Sequence, residues 1–167
     1  MIRSVADFEH EWKEVSSASR RIFGALTDES LAQAVSKQDR TLGRIAWHVV
    51  GTIPEMMAKL GLTIDGPQEH APVPRTAVEI RDSYGRAADS VLHEVSSRWK
   101  DSDLLREQEM YGEQWTLGFA LRVLINHEIH HRGQMTVLMR QAGLSVPGIL
   151  GPAREEWAQW GMQPPTV

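Results

Sequence analysis

Apolar residues recur along this chain at steps of three and four, the spacing that lines one face of an α-helix. Val5, Phe8, Trp12, Val15, Ser19, Ile22 and Leu26 mark a first such face, opened by Ser4 and Asp7 in a capping arrangement. After the polar turn 27–30 and a short amphipathic piece, Thr41 caps a second helix carrying Leu42, Ile45, Val49, Ile53, Met56 and Leu60, and Gly61 stops it. Gly66, Pro67, Pro72 and Pro74 make 62–75 a connection whose length suggests that it crosses the bundle. Thr76 and Glu79 open a third helix with Ile80, Tyr84, Ala87, Val91, Val95 and Trp99 on its apolar face. Residues 100–115 are polar and read as loop. From Thr116 a fourth helix runs through Leu117, Leu121, Leu124, Met135 and Leu138 to Gly143, and 153–160 is expected to form a short terminal helix.

No segment combines period-two alternation with hairpin turns, and there is no internal repeat. The expected architecture is all-α, a four-helix bundle with a short extra C-terminal helix. At 167 residues the chain has the length of one domain, so 1–167 is taken as a single unit. A formal charge of −4 offers no general attraction to phosphate backbones or anionic lipid, so nucleic acid and membranes are not expected partners. The polar start of the chain lacks the apolar core of a signal peptide, and a cytoplasmic location is expected. Cysteine is absent, which removes disulfides, thiolate ligands and cysteine nucleophiles together.

Candidate chemistry enters with the fourth helix. At about 100° per residue, His127 and His131 share the face of Leu124, Met135 and Leu138, and a spacing of four stacks them one turn apart. Glu128 also lies inward, whereas His130 is rotated away. Two imidazoles and a carboxyl on an apolar stripe need partners or a shared ion. One His of the pair as a hydrogen-bonded core residue and the other at the edge is the plainer alternative, but a divalent metal accounts for both at once. Without cysteine a third ligand must be His, Asp or Glu. His48, on the shoulder of the second helix's apolar face, ranks first; His10 and His93 lie on polar sides, and His70 lies in the Pro-rich connection.

Residues 127–131 also satisfy H-E-x-x-H, in which the Glu serves a zinc peptidase as general base. Gln134 and Val137 break the longer form of that signature, and no sheet is expected to align a peptide. There is no G-x-S-x-G elbow, phosphate-binding loop or dinucleotide fingerprint. Trp47 is expected to pack, or to line a pocket beside His48.

The run Asn126-His127-Glu128-Ile129-His130-His131-Arg132-Gly133-Gln134 joins Gly143-Leu144-Ser145-Val146-Pro147, Gly151-Pro152 and the upstream Leu42-Gly43-Arg44-Ile45-Ala46-Trp47-His48. Together, over most of the chain, they resemble the DinB/YfiT-like proteins. That resemblance implies a four-helix bundle with a divalent metal held by three His, matched here by His48, His127 and His131, and frequent homodimers. It also implies thiol-dependent transferases or isomerases that use a low-molecular-weight thiol such as bacillithiol, mycothiol or glutathione as cosubstrate.

The resulting expectation is a metal-dependent enzyme acting on small molecules, with thiol S-transfer ahead of hydrolysis. Three neutral imidazoles leave coordination positions open, where a thiol or a water would lose its proton more readily. Zinc or nickel leads as the ion, with iron, cobalt and manganese also compatible. Glu128 is the candidate proton acceptor, with a structural role as its alternative. A non-catalytic bundle holding metal or a small ligand is the rival, and a fourth protein ligand, Glu55 or Glu128, would favour it.

Overall fold

The computed structural model describes residues 2–68 and 70–166. Four helices, α1 (Val5–Gly24), α2 (Leu42–Lys59), α3 (Ala77–Arg98) and α4 (Leu117–Gln141), supply the frame. Each begins at the residue that the sequence nominates. Ser4, Thr41, Thr76 and Thr116 all adopt extended backbone and accept, through the side-chain oxygen, a backbone N–H three residues on. Gly61 and Gly143, just past the ends of α2 and α4, take left-handed backbone that other residues avoid.

α1 and α2 each pack on both α3 and α4, so α1 faces α2, and α3 faces α4, across the diagonal of the bundle. Directions follow from contacts at the ends. The Val5 N–H meets Asp101, and a Cβ on Gly118 would lie 2.8 Å from the Ile2 carbonyl, so α1 starts where α3 ends and α4 begins. The Ala77 N–H bonds Asp28, so α3 starts where α1 ends. α2 starts at that end too, since the Leu42 N–H bonds the Gln33 carbonyl, and the Gln33 side chain meets Gln141 at the end of α4. α2 and α3 are therefore parallel, and the connection between them must return along the bundle. It does so beside α2: Gly66 lies against Pro54, and the Ala71 carbonyl accepts from the Trp47 indole at 2.9 Å. The expected crossing is thus a strap running the length of α2.

Buried apolar residues from all four helices form one continuous cluster, which includes Trp12, Ile53, Tyr84 and Leu121. Most polar atoms inside it are paired, as in the Trp12 indole N–H donating to the Ala88 carbonyl at 2.9 Å; among the described residues Glu128 Oε2 is buried without a hydrogen-bond partner. Among the described residues, no helix is long and apolar enough to cross a membrane.

The stretch expected as loop departs from the sequence reading. It holds a 3₁₀ turn, Asp101–Leu105, and an antiparallel hairpin of β1 (Glu107–Met110) and β2 (Glu113–Thr116). Only Met110 of β1 is buried, so no hydrophobic alternation marks the strands. Tyr111 and Gly112 both have positive φ, the type I′ geometry that closes a two-residue hairpin, here with Tyr in place of the usual Asn or Asp. The C-terminal helix is present as a 3₁₀ segment, Arg154–Trp160, that buries no residue. Glu156 ties it down through the N–H groups of Gly148 and Ala153.

Candidate metal centre

α2 and α4 bring the three predicted ligands together. His48, from the second turn of α2, meets His127 and His131 on α4, and one nitrogen from each ring lies within 4.8 Å of the other two. The Nε2 atoms of His48 and His127 are 3.0 Å apart. Two nitrogens held about 2.0–2.1 Å from one zinc ion in a tetrahedral array lie roughly 3.4 Å apart, so the donor set fits a divalent ion with small side-chain adjustments.

Protonation points the same way. Burial lowers His48 to about 4, assisted by charge on His131, Arg40 and Arg44. Burial likewise lowers His127 to about 4, with His131, His48, His130 and Arg40 adding to it. His131 is also lowered by burial, against an opposing hydrogen bond from Gln134. At neutral pH all three rings are neutral and present lone pairs, the form that binds metal. His131 Nδ1 contacts the Gln134 side-chain oxygen at 2.7 Å, which assigns the proton to Nδ1 and leaves Nε2 as the donor atom. The Gln134 amide nitrogen also contacts His130 Nε2 at 3.2 Å. His130 itself is exposed and stands outside the triad, as its position on the helix predicts.

Glu128 behaves differently from its neighbour His127. Its side chain is 1% exposed, and its Oε1 accepts from Ser19 at 2.6 Å and from Tyr84 at 2.5 Å. Arg132 bonds the same Ser19 hydroxyl and the Val15 carbonyl. Burial raises the Glu128 pKa against the pull of Ser19, Tyr84 and Arg132, while the Tyr84 hydroxyl is raised first by burial and then by Glu128. The carboxyl is thus held between α1, α3 and α4 and is not one of the three clustered ligands. Its partner Tyr84 was legible as a core position but not as a hydrogen-bond donor to Glu128.

A cavity of about 550 Å³ opens on the His48 and His127 side. Trp47, Met56 and Val123 give it an apolar wall; Arg40, Arg44, Glu55 and Tyr111 give it polar edges, and the α2–α3 strap closes one side through Pro67 and Ala71. Glu55 is engaged there, accepting from the Tyr111 hydroxyl at 2.7 Å and pairing with Lys59. His70 lines this cavity without joining the ligand group, and His10 and His93 are exposed on the bundle surface. Among the described residues no fourth His, Asp or Glu joins the three imidazoles.

Known proteins share this frame. The chain matches the DinB family over residues 1–162. It is 44% identical to the YrdA protein of Bacillus subtilis strain 168 over 167 residues, the full length of both. A DinB-like protein from Bacillus cereus ATCC 10987 superposes with a TM-score of 0.86 at 40% identity, covering 89% of this chain and 99% of the other. A second DinB-like protein, YjoA of Bacillus subtilis, shares the fold at a TM-score of 0.64 and 13% identity, over 83% of this chain and 94% of that one. With the matched region spanning nearly its whole length, this chain belongs to the DinB family.

Proposed function

We propose that the protein is a metal-dependent enzyme acting on small molecules, in which His48, His127 and His131 hold a divalent ion, and that its reaction is transfer to or from a low-molecular-weight thiol. One observation carries the metal-dependent part: three neutral imidazoles converge, two of them, His48 and His127, at the wall of a cavity, with no fourth protein ligand among the described residues to close the site. The ion, zinc or nickel before iron, cobalt or manganese, would supply Lewis acidity that makes a coordinated thiol or water more acidic. The rest falls to the chain. Gln134 orients His131, Trp47 and Met56 shelter the cavity with apolar surface, and the Tyr111–Glu55 bond fixes its hairpin edge. Preference for a thiol rests on the family resemblance, and the absence of cysteine is compatible with a thiol brought in as cosubstrate.

A peptidase of the H-E-x-x-H type would need its glutamate beside the ion and the substrate. Glu128 is instead bound by Ser19 and Tyr84 in the core, which weighs against that alternative.

The test begins with elemental analysis of the untagged wild-type chain and His131→Ala, before and after reloading. About one metal per wild-type chain, lost in the variant, is the expected result; no metal in either would end the proposal. Loaded protein is then assayed with glutathione and 1-chloro-2,4-dinitrobenzene, alongside a nitrophenyl ester. Thioether formation that disappears in His131→Ala supports transfer, and metal-dependent ester cleavage without thioether formation moves the assignment to hydrolysis.

A further inference from the structure

The cavity beside the histidines carries positive charge that no described residue pairs with. Arg40 and Arg44 lie on its edge at the start of α2, and neither forms an ion pair or hydrogen bond with any described residue beyond Arg44's backbone N–H to the Thr41 cap. Several arginines are matched, such as Arg20 with Asp89, Arg122 with Glu11, Arg98 with Glu94 and Arg140 with Glu155; what sets Arg40 and Arg44 apart from other unpaired surface arginines is that both line the cavity. Local helix stability does not explain the pair either. Cations near a helix N-terminus oppose its dipole, and α2 has no acidic residue in its first turn, whereas α1 has Asp7 and α3 has Glu79.

The carboxylate that lines the same cavity is committed elsewhere, since Glu55 is held by Tyr111 and Lys59. Arg40 and Arg44 line the cavity together with His48 and His127, so the guanidinium groups and two of the three clustered imidazoles face one compartment. A divalent cation on three neutral imidazoles would add to that positive field, and the described residues supply no free anion to offset it. Among the described residues, then, the two guanidinium groups stand exposed at the cavity edge and open to an anionic ligand.

We infer that the cavity takes a small molecule carrying an oxyanion, a carboxylate or a phosphate ester, which Arg40 and Arg44 hold while its less polar part lies against Trp47 and Met56. Guanidinium groups bind such oxyanions through paired charge-assisted hydrogen bonds. A volume of about 550 Å³ is in the range of ordinary small-molecule sites. The inference rests on the proposed function in taking this cavity as the substrate site, and it narrows the substrate class.

Wild type, Arg40→Gln, Arg44→Gln and the double variant are loaded with zinc, checked for metal content, and titrated calorimetrically with succinate against succinamide and with glycerol 2-phosphate against glycerol. At least one anion is expected to bind wild type about tenfold or more tighter than its neutral partner, and the double variant to lose that preference while keeping its metal. Which anion is preferred tells carboxylate from phosphate. A wild type without preference overturns the inference, as does a double variant that retains it. If zinc is not taken up, the metal proposal fails separately. The same titrations on the metal-free chains then decide the inference: preference lost in the double variant upholds it, and no preference overturns it.

Discussion

Residues 127 and 128 are neighbours on α4, yet they belong to two polar regions built on opposite principles. Toward α1 and α3, Glu128, Ser19, Tyr84 and Arg132 form a buried network in which Glu128 Oε1 takes two hydroxyl donors and Oε2 takes none. Toward α2, three imidazoles gather on one another, His48 and His127 in contact through Nε2 at the wall of a cavity and His131 behind them, with no carboxylate among the described residues joining them. The first region has what a structural network needs, and the second has what a ligand needs. Two inward residues on one stretch of helix thus acquire different work from the helices that they face.

Breaking the closed region is expected to have the largest effect on stability. Glu128→Ala leaves the Tyr84 and Ser19 hydroxyls buried without their acceptor and Arg132 without its nearby carboxylate, and should destabilise the chain by about 3–5 kcal/mol in urea unfolding. Metal per folded chain should stay unchanged. Metal loss from the still-folded protein would mean that the two regions are coupled. Breaking the open region should do the reverse: His48→Ala should cut metal content to less than about a tenth of wild type, while metal-free stability changes by only about 1 kcal/mol. Full metal occupancy in that variant would remove His48 from the ligand set.

Gln134→Ala probes the support of the open region. Losing the partner of His131 Nδ1 should weaken metal binding about 10–100-fold in competition with a chelator, without affecting the Glu128 network. A further effect concerns pH. His48 and His127 are lowered to about 4 in the folded chain, while the unfolded chain titrates near the ordinary imidazole value of 6.5. Below 6.5 the unfolded state therefore binds protons that the native state refuses. Metal-free stability should fall as pH drops from 6.5 to about 4 and level off, for these groups, below that. At pH 7 metal uptake should release few protons from these rings, which calorimetry in buffers of different ionisation enthalpy will read.

The helical frame was legible because each helix announces itself twice, by a capping oxygen and by an apolar stripe of the right period. The α4 pair was legible for the same reason, since position on a helix settles which residues face inward. Periodicity could not say which neighbour each inward residue meets. Glu128 and His127 both read as inward, and only the placement of α1, α3 and α2 around α4 separates them. The hairpin escaped because its strands are four residues long and bury one side chain between them. Gln134 could have been noticed three residues after His131, the reach of a helical side-chain pair. Arg40 and Arg44 could not be distinguished from ordinary surface charge until their lack of partners and their shared cavity were visible.

Because α2 and α3 run parallel, the strap between them must travel the length of the bundle, and part of it becomes a wall of the cavity. The ligands stand on helices locked into the core, while that wall is a tether whose length and side chains are set apart from helix packing. Exchanging 66–75 for segments of other composition would remodel the binding compartment and leave the imidazole cluster standing. In evolutionary terms, the fold separates a fixed reagent from an interchangeable mould.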